Sequence, residues 1–265
     1  LDCGRAAVRR SRRCGMRFAL ALGVLGVVLV ASAVRQAAGA GVLGWAGVVV
    51  ELYGAACGLA FASLYAARSA GVEVEQRLAT RRGSVALRGI ALPYVATGYF
   101  VLWLVRWWGR EDAMNRVAPG LYLGRYPFPS ERSRLDDAGI EAVLSVCWEF
   151  PPESAARGRG RRETAWVPIL DGVAPTARQF EAAEVWVQTQ RVAGRSVLIY
   201  CAQGHGRSAT ILAAMLCRLE LAEDAETALE QVRTARPRAR PTRAQRRAVI
   251  ARVAMMRGPG RERPR

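Results

Sequence analysis

Residues 197–210 read Val-Leu-Ile-Tyr-Cys-Ala-Gln-Gly-His-Gly-Arg-Ser-Ala-Thr: an apolar run delivers Cys201, two glycines follow, and Arg207 opens a run of small residues. A Cys and an Arg separated by five residues mean little alone. With 6 Cys and 39 basic residues, every one an Arg, about one such pair falls by chance in 265 positions, and Cys3 with Arg9 is such a pair in a basic tail. The setting of Cys201 is what carries chemistry. Gly204 and Gly206 permit backbone conformations that turn successive N–H groups inward as an anion nest. A helix starting near Arg207 points its positive end at the same place, and Arg207 adds a planar two-pronged donor matched to phosphate oxygens. Over such a cradle the donors that would hold phosphate favour the thiolate, a nucleophile aimed at phosphorus. A buried Cys closing a strand before a glycine turn is the plain alternative, and it leaves the arginine and the helix start without a purpose.

Displacement at phosphorus also needs a proton for the leaving oxygen, which a positioned carboxylic acid supplies. Asp171 closes the apolar run 166–170 and precedes Gly172 and Pro175, so it sits on a constrained loop. Asp136, Asp137 and Glu163 read as solvated helix or loop charges, whereas Glu149, between Trp148 and Phe150, is the serious rival and reads as a positional carboxylate. Ala202, Gln203, Gly204, His205, Gly206 and Ser208 are the candidates for binding the substrate phosphate, with His205 lining the loop in preference to touching substrate. His205 is also the single histidine, and the cysteines at 3, 14, 57, 147, 201 and 217 form no C-x-x-C pair. No metal, cofactor or disulfide framework is therefore expected.

The elements that must hold these residues are short. Apolar runs at 142–146, 166–170 and 197–200 read as buried strands, and 176–192, 208–221 and 224–235 read as helices between them, the pattern of an α/β domain. The second of these helices reads as amphipathic. Thr176 with Gln179 forms a capping box and Gly194 a helix stop. Residues 151–162 form a Pro/Gly/Arg loop with nothing to pack, and 257–265 a disordered basic tail.

Ahead of this domain the texture is different. Residues 18–34 carry no charge and follow six arginines in the basic tail 1–17. Residues 42–67 form a second apolar run, interrupted only by Glu51 and rich in Gly, Ala and Ser. Small residues let membrane helices approach closely, so a two-helix membrane hairpin explains both runs; a cleaved signal peptide is the alternative for the first. A third run, 89–105, holds Pro93, Tyr94, Tyr99 and Trp103 before Trp107 and Trp108, and either spans the bilayer or lies at its interface. The membrane region is thus 18–108. Five arginines between 68 and 88, against Arg35 alone in 35–41, put that loop and the N-terminus in the cytoplasm. Residues 109–230 hold 14 Arg against 17 acids, so the net charge of +17 resides in the flanks and does not make a nucleic-acid binder.

Residues 197–210 resemble the signature loop of the cysteine-based phosphatases, the protein tyrosine and dual-specificity phosphatase superfamily. The resemblance extends over about 115–247: 117–124 is similar to the opening strand, 139–146 with Glu149-Phe150-Pro151 to the next, 167–172 to the general-acid loop, and Arg236-Pro237 with Gln245 to the closing helices. Leu92-Pro93-Tyr94 and Trp107-Trp108 are similar to bacterial membrane-anchored members. The resemblance implies a dual-specificity-phosphatase-like α/β domain over 109–256, a central sheet flanked by helices. In it Cys201 would be the nucleophile, Arg207 the phosphate clamp, Asp171 the general acid and Ser208 the hydroxyl that steadies the departing thiolate. Tyr200 departs from the family, which usually has His there, and this bears on how far the thiol is activated. The implied protein is a multi-pass membrane phosphatase with a cytoplasmic catalytic domain, acting on phosphoproteins. A phospholipid monoester such as phosphatidylglycerol phosphate is the alternative substrate, although Gln203 is neutral and the loop lacks Lys. A phosphate-binding module whose catalysis has lapsed is the alternative of another class.

Overall fold

The first third of the chain is helical wherever the computed structural model describes it, namely residues 2–37, 42–70 and 92–108; 111–150 and 162–257 complete the described residues. Two compact units result, Val8–Trp108 and one whose body is Gly109–Arg265. In the first, α1 (Asp2–Ala37) runs from the basic segment into the apolar one without a break, so the arginines expected in a separate tail share its helix. Arg and Ala are both strong helix formers. Ala19–Ala37 and, in α2 (Val42–Ser69), Trp45–Ser69 are long and apolar enough to cross a membrane by length and composition. The two helices meet through glycine: a Cβ on Gly58 would lie 3.1 Å from the Leu22 carbonyl oxygen, and one on Gly26 2.9 Å from Leu59 Cγ. Ser32 Oγ and Gln36 Nε2 donate to Glu51 Oε1 at 3.1 and 2.8 Å, which gives the one acid of α2 polar company. A third helix, α3 (Leu92–Trp108), touches α2 and carries Phe100 stacked on Trp103, with Trp107 tilted against Trp103. The connections 38–41 and 71–91, and with them most of the arginines used above to orient the chain, lie outside the described residues.

The second unit is a five-stranded sheet with helices around it. β1 (Met114–Ala118) and β2 (Leu121–Arg125) form an antiparallel pair, and β3 (Ile140–Cys147), β4 (Glu163–Ile169) and β5 (Ser196–Cys201) join in the order β1-β2-β5-β3-β4, all parallel beyond β1. β5 sits in the middle, and Val197–Cys201 is buried on both faces, which is why it reads as an unbroken apolar run and not as an alternation. The parallel strands all end at one edge of the sheet, where the segments after β3, β4 and β5 bring Glu149, Asp171 and Cys201 together. A short α4 (Arg132–Asp137) packs on β3; α5 (Ala177–Val192), α6 (Arg207–Arg218), α7 (Ala225–Ala235) and α8 (Arg243–Arg257) follow.

Local signals in the sequence set several of these boundaries. Thr176 Oγ1 accepts from the Gln179 backbone N–H, and Gln179 Oε1 accepts from the Thr176 N–H, closing the expected capping box on α5. That helix ends in a Schellman turn at Gly194, φ +77°, with Arg195 N–H bonded to Gln190 O and Gly194 N–H to Arg191 O. Two expectations are corrected and one is extended. α6 has the amphipathic pattern read from its sequence, yet Arg207–Leu216 is buried all round, because β2, β3 and β5 cover one side and α5, α7 and α8 the others. Arg162, placed in a loop with nothing to pack, is buried, donates Nε to Ile140 O at 2.9 Å and pairs with Asp136; residues 151–161 before it lie outside the described residues. Arg257 ends α8 and is not tail; 258–265 lie outside the described residues.

Candidate active site

Cys201 is the last residue of β5, paired in register with Arg125, and only 3% exposed. Its Sγ accepts from the Gly204 backbone N–H at 3.2 Å and from Ser208 Oγ at 3.2 Å, so the loop folds back over the sulfur from two sides. Gly204 has φ +77°, and a Cβ there would stand 2.5 Å from the Gly124 carbonyl oxygen; only glycine fits. Gly206 differs from expectation. Its φ of −111° is open to other residues, and what a side chain would meet is the Gln245 amide, 3.1 Å from an added Cβ. The N-terminus of the twelve-residue α6 opens onto the loop at Arg207.

Arg207 is buried and pinned. Its NH1 and NH2 donate to Glu149 Oε2 and Oε1 at 2.8 and 2.6 Å, NH1 also donates to Ile169 O at 3.0 Å, and NH2 lies 3.1 Å from Asp171 Oδ1. Burial works against its charge, but Glu149 and then Asp171 outweigh it and push the guanidinium above its ordinary range. Among the described residues nothing accepts from its buried Nε–H. The fork of Glu149 thus orients the arginine and leaves one donor to spare.

That arrangement separates the two rival carboxylates. Both oxygens of Glu149 are committed and its side chain is 5% exposed. Asp171 stands in the turn after β4 with its side chain 62% exposed. The Asp171 turn is held from α8, where Gln245 Nε2 donates to Val173 O at 3.1 Å. Of the other acids, Asp137 and Glu163 are exposed as expected, but Asp136 is engaged by Arg162 and is not a solvated charge. Cys147, a second thiol below the site, is fully buried; burial pushes it far above the ordinary thiol range and makes it inert.

The outer side of the loop is tied down residue by residue. Ala202 O accepts from Tyr126 N at 3.1 Å, Gln203 O from Arg236 NH2 at 3.1 Å, and His205 O from Arg240 N at 2.8 Å. The His205 ring lies with Nε2 2.8 Å from Glu111 Oε2, so the ring proton sits on that nitrogen; burial, only partly opposed by Glu111, lowers its pKa. Tyr200, where the family usually has His, is buried edge-on against Tyr126, ring centroids 6.1 Å apart. Sequence reading missed Glu111, Arg125, the anchoring role of Arg236 and the reach of Gln245. The apolar neighbours of Glu149 were a signal of a buried carboxylate; Glu111 had none. Among the described residues no group of three His, Cys, Asp or Glu is placed to hold a metal ion.

A thiol over glycine-rich backbone at the carboxyl edge of a mostly parallel sheet, with an arginine at the start of a buried helix, defines the class: a dual-specificity-phosphatase-like domain. Residues 121–252 match the dual specificity phosphatase catalytic domain. Human dual specificity phosphatase 28 is 34% identical over 137 residues, 48% of this chain and 69% of that protein. The chain belongs to the dual specificity phosphatase family. Human dual specificity protein phosphatase 12 is 32% identical over 128 residues, 48% of this chain, and the chain spans only 37% of that protein's length. The phosphatidylglycerophosphate phosphatase PTPMT1 of Arabidopsis thaliana is 27% identical over 188 residues, 65% of this chain and 52% of its own.

Proposed function

We propose that this protein is a membrane-anchored phosphatase that hydrolyses phosphate monoesters of phosphoproteins, phosphotyrosine foremost and phosphoserine or phosphothreonine besides. The Cys201 thiolate attacks phosphorus, an Sγ–P bond forms as the P–O bond breaks, and Asp171 gives its proton to the leaving oxygen. Water then attacks the cysteinyl-phosphate, Asp171 takes a proton from it, and Ser208 donates to the thiolate as inorganic phosphate departs. Arg207, the loop amides and the end of α6 supply the positive charge, so the reaction requires no metal or cofactor. The observation that carries this reading is Cys201 Sγ fixed by Gly204 and Ser208 beside Arg207, whose guanidinium is held in place by Glu149.

The two long apolar helices support the anchor. By arginine distribution the N-terminus and the 68–88 loop face the cytoplasm, and with α3 lying at the interface the catalytic unit faces it as well. A phospholipid monoester is the second reading, favoured by that anchor and by the plant relative described above as a phosphatidylglycerophosphate phosphatase. The intact set of Cys201, Arg207 and Asp171 speaks against lapsed catalysis.

The test is phosphate release by the full chain from a phosphotyrosine peptide, a phosphoserine peptide and vesicles containing phosphatidylglycerol phosphate. The peptides should be turned over, and Cys201→Ser should abolish turnover while inorganic phosphate still binds. Full activity in Cys201→Ser would end the proposal, and release from the vesicles alone would replace protein by lipid.

A further inference from the structure

The loop 202–206 has no strand ladder to fix it, and ordering each residue costs about 1–2 kcal/mol of backbone entropy. Its outward carbonyls are therefore held by partners from elsewhere in the chain, and one of those partners leads on to a single carboxylate. Arg236, 0% exposed, donates to Gln203 O, Asp112 O and Asn115 Oδ1, and it lies 3.2 Å from Glu111 Oε1. The same carboxylate accepts the Nε2–H of His205, two residues further round the loop. The backbone oxygen of Glu111 accepts from Arg125, whose strand end abuts Gly204. Glu111 thus touches, directly or through one guanidinium, the loop at Gln203 and His205. A buried cation deprived of its partner is strongly destabilising, and a loop amide displaced by about 1 Å costs on the order of 10²-fold in rate.

Resting on the phosphatase reading above, we infer that Glu111 is a positioning residue of the phosphate loop, acting through His205 and Arg236 and never touching substrate. In the full chain Glu111→Ala should lower kcat on an aryl phosphate by ~10–100-fold and weaken inorganic phosphate binding about tenfold. Glu111→Gln keeps an acceptor for Arg236 and a hydrogen bond to the other tautomer of His205, so it should recover most of both. Glu184→Ala is the control: it breaks the comparably buried Glu184–Arg252 pair between α5 and α8 and should lower the unfolding temperature without either loss.

Wild-type kcat and phosphate affinity in Glu111→Ala would overturn the inference, as would equal losses in Glu184→Ala or in Glu111→Gln. Should Glu111→Ala fail to fold, the cycle of Glu111→Asp, which keeps the charge for Arg236 and shortens its reach, with His205→Gln decides. Coupled residues give a double variant no worse than the poorer single one; losses that multiply sink the idea. If the wild type turned over no phosphate ester, the phosphatase reading would fall by itself, and phosphate binding would still test Glu111.

Discussion

Along α1 and α2 large apolar side chains face outward, Val24, Val27, Val28, Val34, Trp45, Val49 and Val50 among them, and the helices meet through glycines. In the sheet unit exposed apolar side chains are scattered, and the interior holds charges: Arg207 with Glu149, Arg236 with Glu111, Arg162 with Asp136, Arg252 with Glu184. The contrast is of two outer surfaces. A helix whose outside is apolar can pack by backbone proximity through small residues. A domain with a polar outside can keep a buried arginine only by giving it a carboxylate. The charges inside the second unit therefore mark where the protein spends stability on holding something in place, and two of the four pairs, Arg207–Glu149 and Arg236–Glu111, lie at the loop around Cys201.

The comparison can be sharpened inside the sheet unit first, where the largest effects lie. Asp171→Asn should slow hydrolysis of esters with poor leaving groups by ~10²–10⁴-fold and of an activated aryl phosphate much less, because that leaving group needs no proton. Glu149→Gln should lower both rates by a similar factor, since it loosens Arg207 whatever the leaving group is. Initial rates across a series of leaving groups separate the two; leaving-group dependence in Glu149→Gln and none in Asp171→Asn would exchange their roles.

The helical unit should respond differently. Gly58→Leu drives a side chain into the Leu22 carbonyl and should destabilise the α1–α2 pairing by about 1–3 kcal/mol, read by denaturation in detergent micelles. Its kcat on a soluble aryl phosphate should stay within about twofold of wild type. A large fall in kcat would mean that the two units do not divide packing from catalysis in this way.

A smaller effect concerns pH. Burial holds the folded pKa of His205 below its ordinary 6.5, while Glu111 opposes this and Arg236 and Arg238 add to it. The unfolded chain then binds a proton that the folded one refuses, so stability is lost as pH falls through 6.5 towards the folded value. His205→Gln should lose less unfolding temperature between pH 7.5 and 5.5 than wild type does; identical slopes would show that His205 does not contribute.

How far the site could be read in advance depended on distance along the chain. Cys201, Gly204, Arg207 and Ser208 lie within eight residues and interact through local backbone geometry, so their types and spacing announce them. The capping box of Thr176 and the Schellman turn at Gly194 were readable for the same reason. Glu149 reaches Arg207 across 58 residues and Glu111 reaches His205 across 94, and no periodicity links either pair. The burial of α6 was not legible because its small and polar residues look like a solvent-facing stripe until six neighbouring elements are seen to cover them.

The sequence by itself therefore determined the Cys201 loop, the strand that delivers it, the apolar helices and the ends of α5, since steric rules for backbone and burial act over a few residues. Only the tertiary structure decided which carboxylate is buried against Arg207, which stays exposed in the turn after β4, and that Glu111 and Arg236 meet behind the loop. The strand order β1-β2-β5-β3-β4 sets those partners side by side, and strand order arises from packing the whole sheet, not from any segment of it.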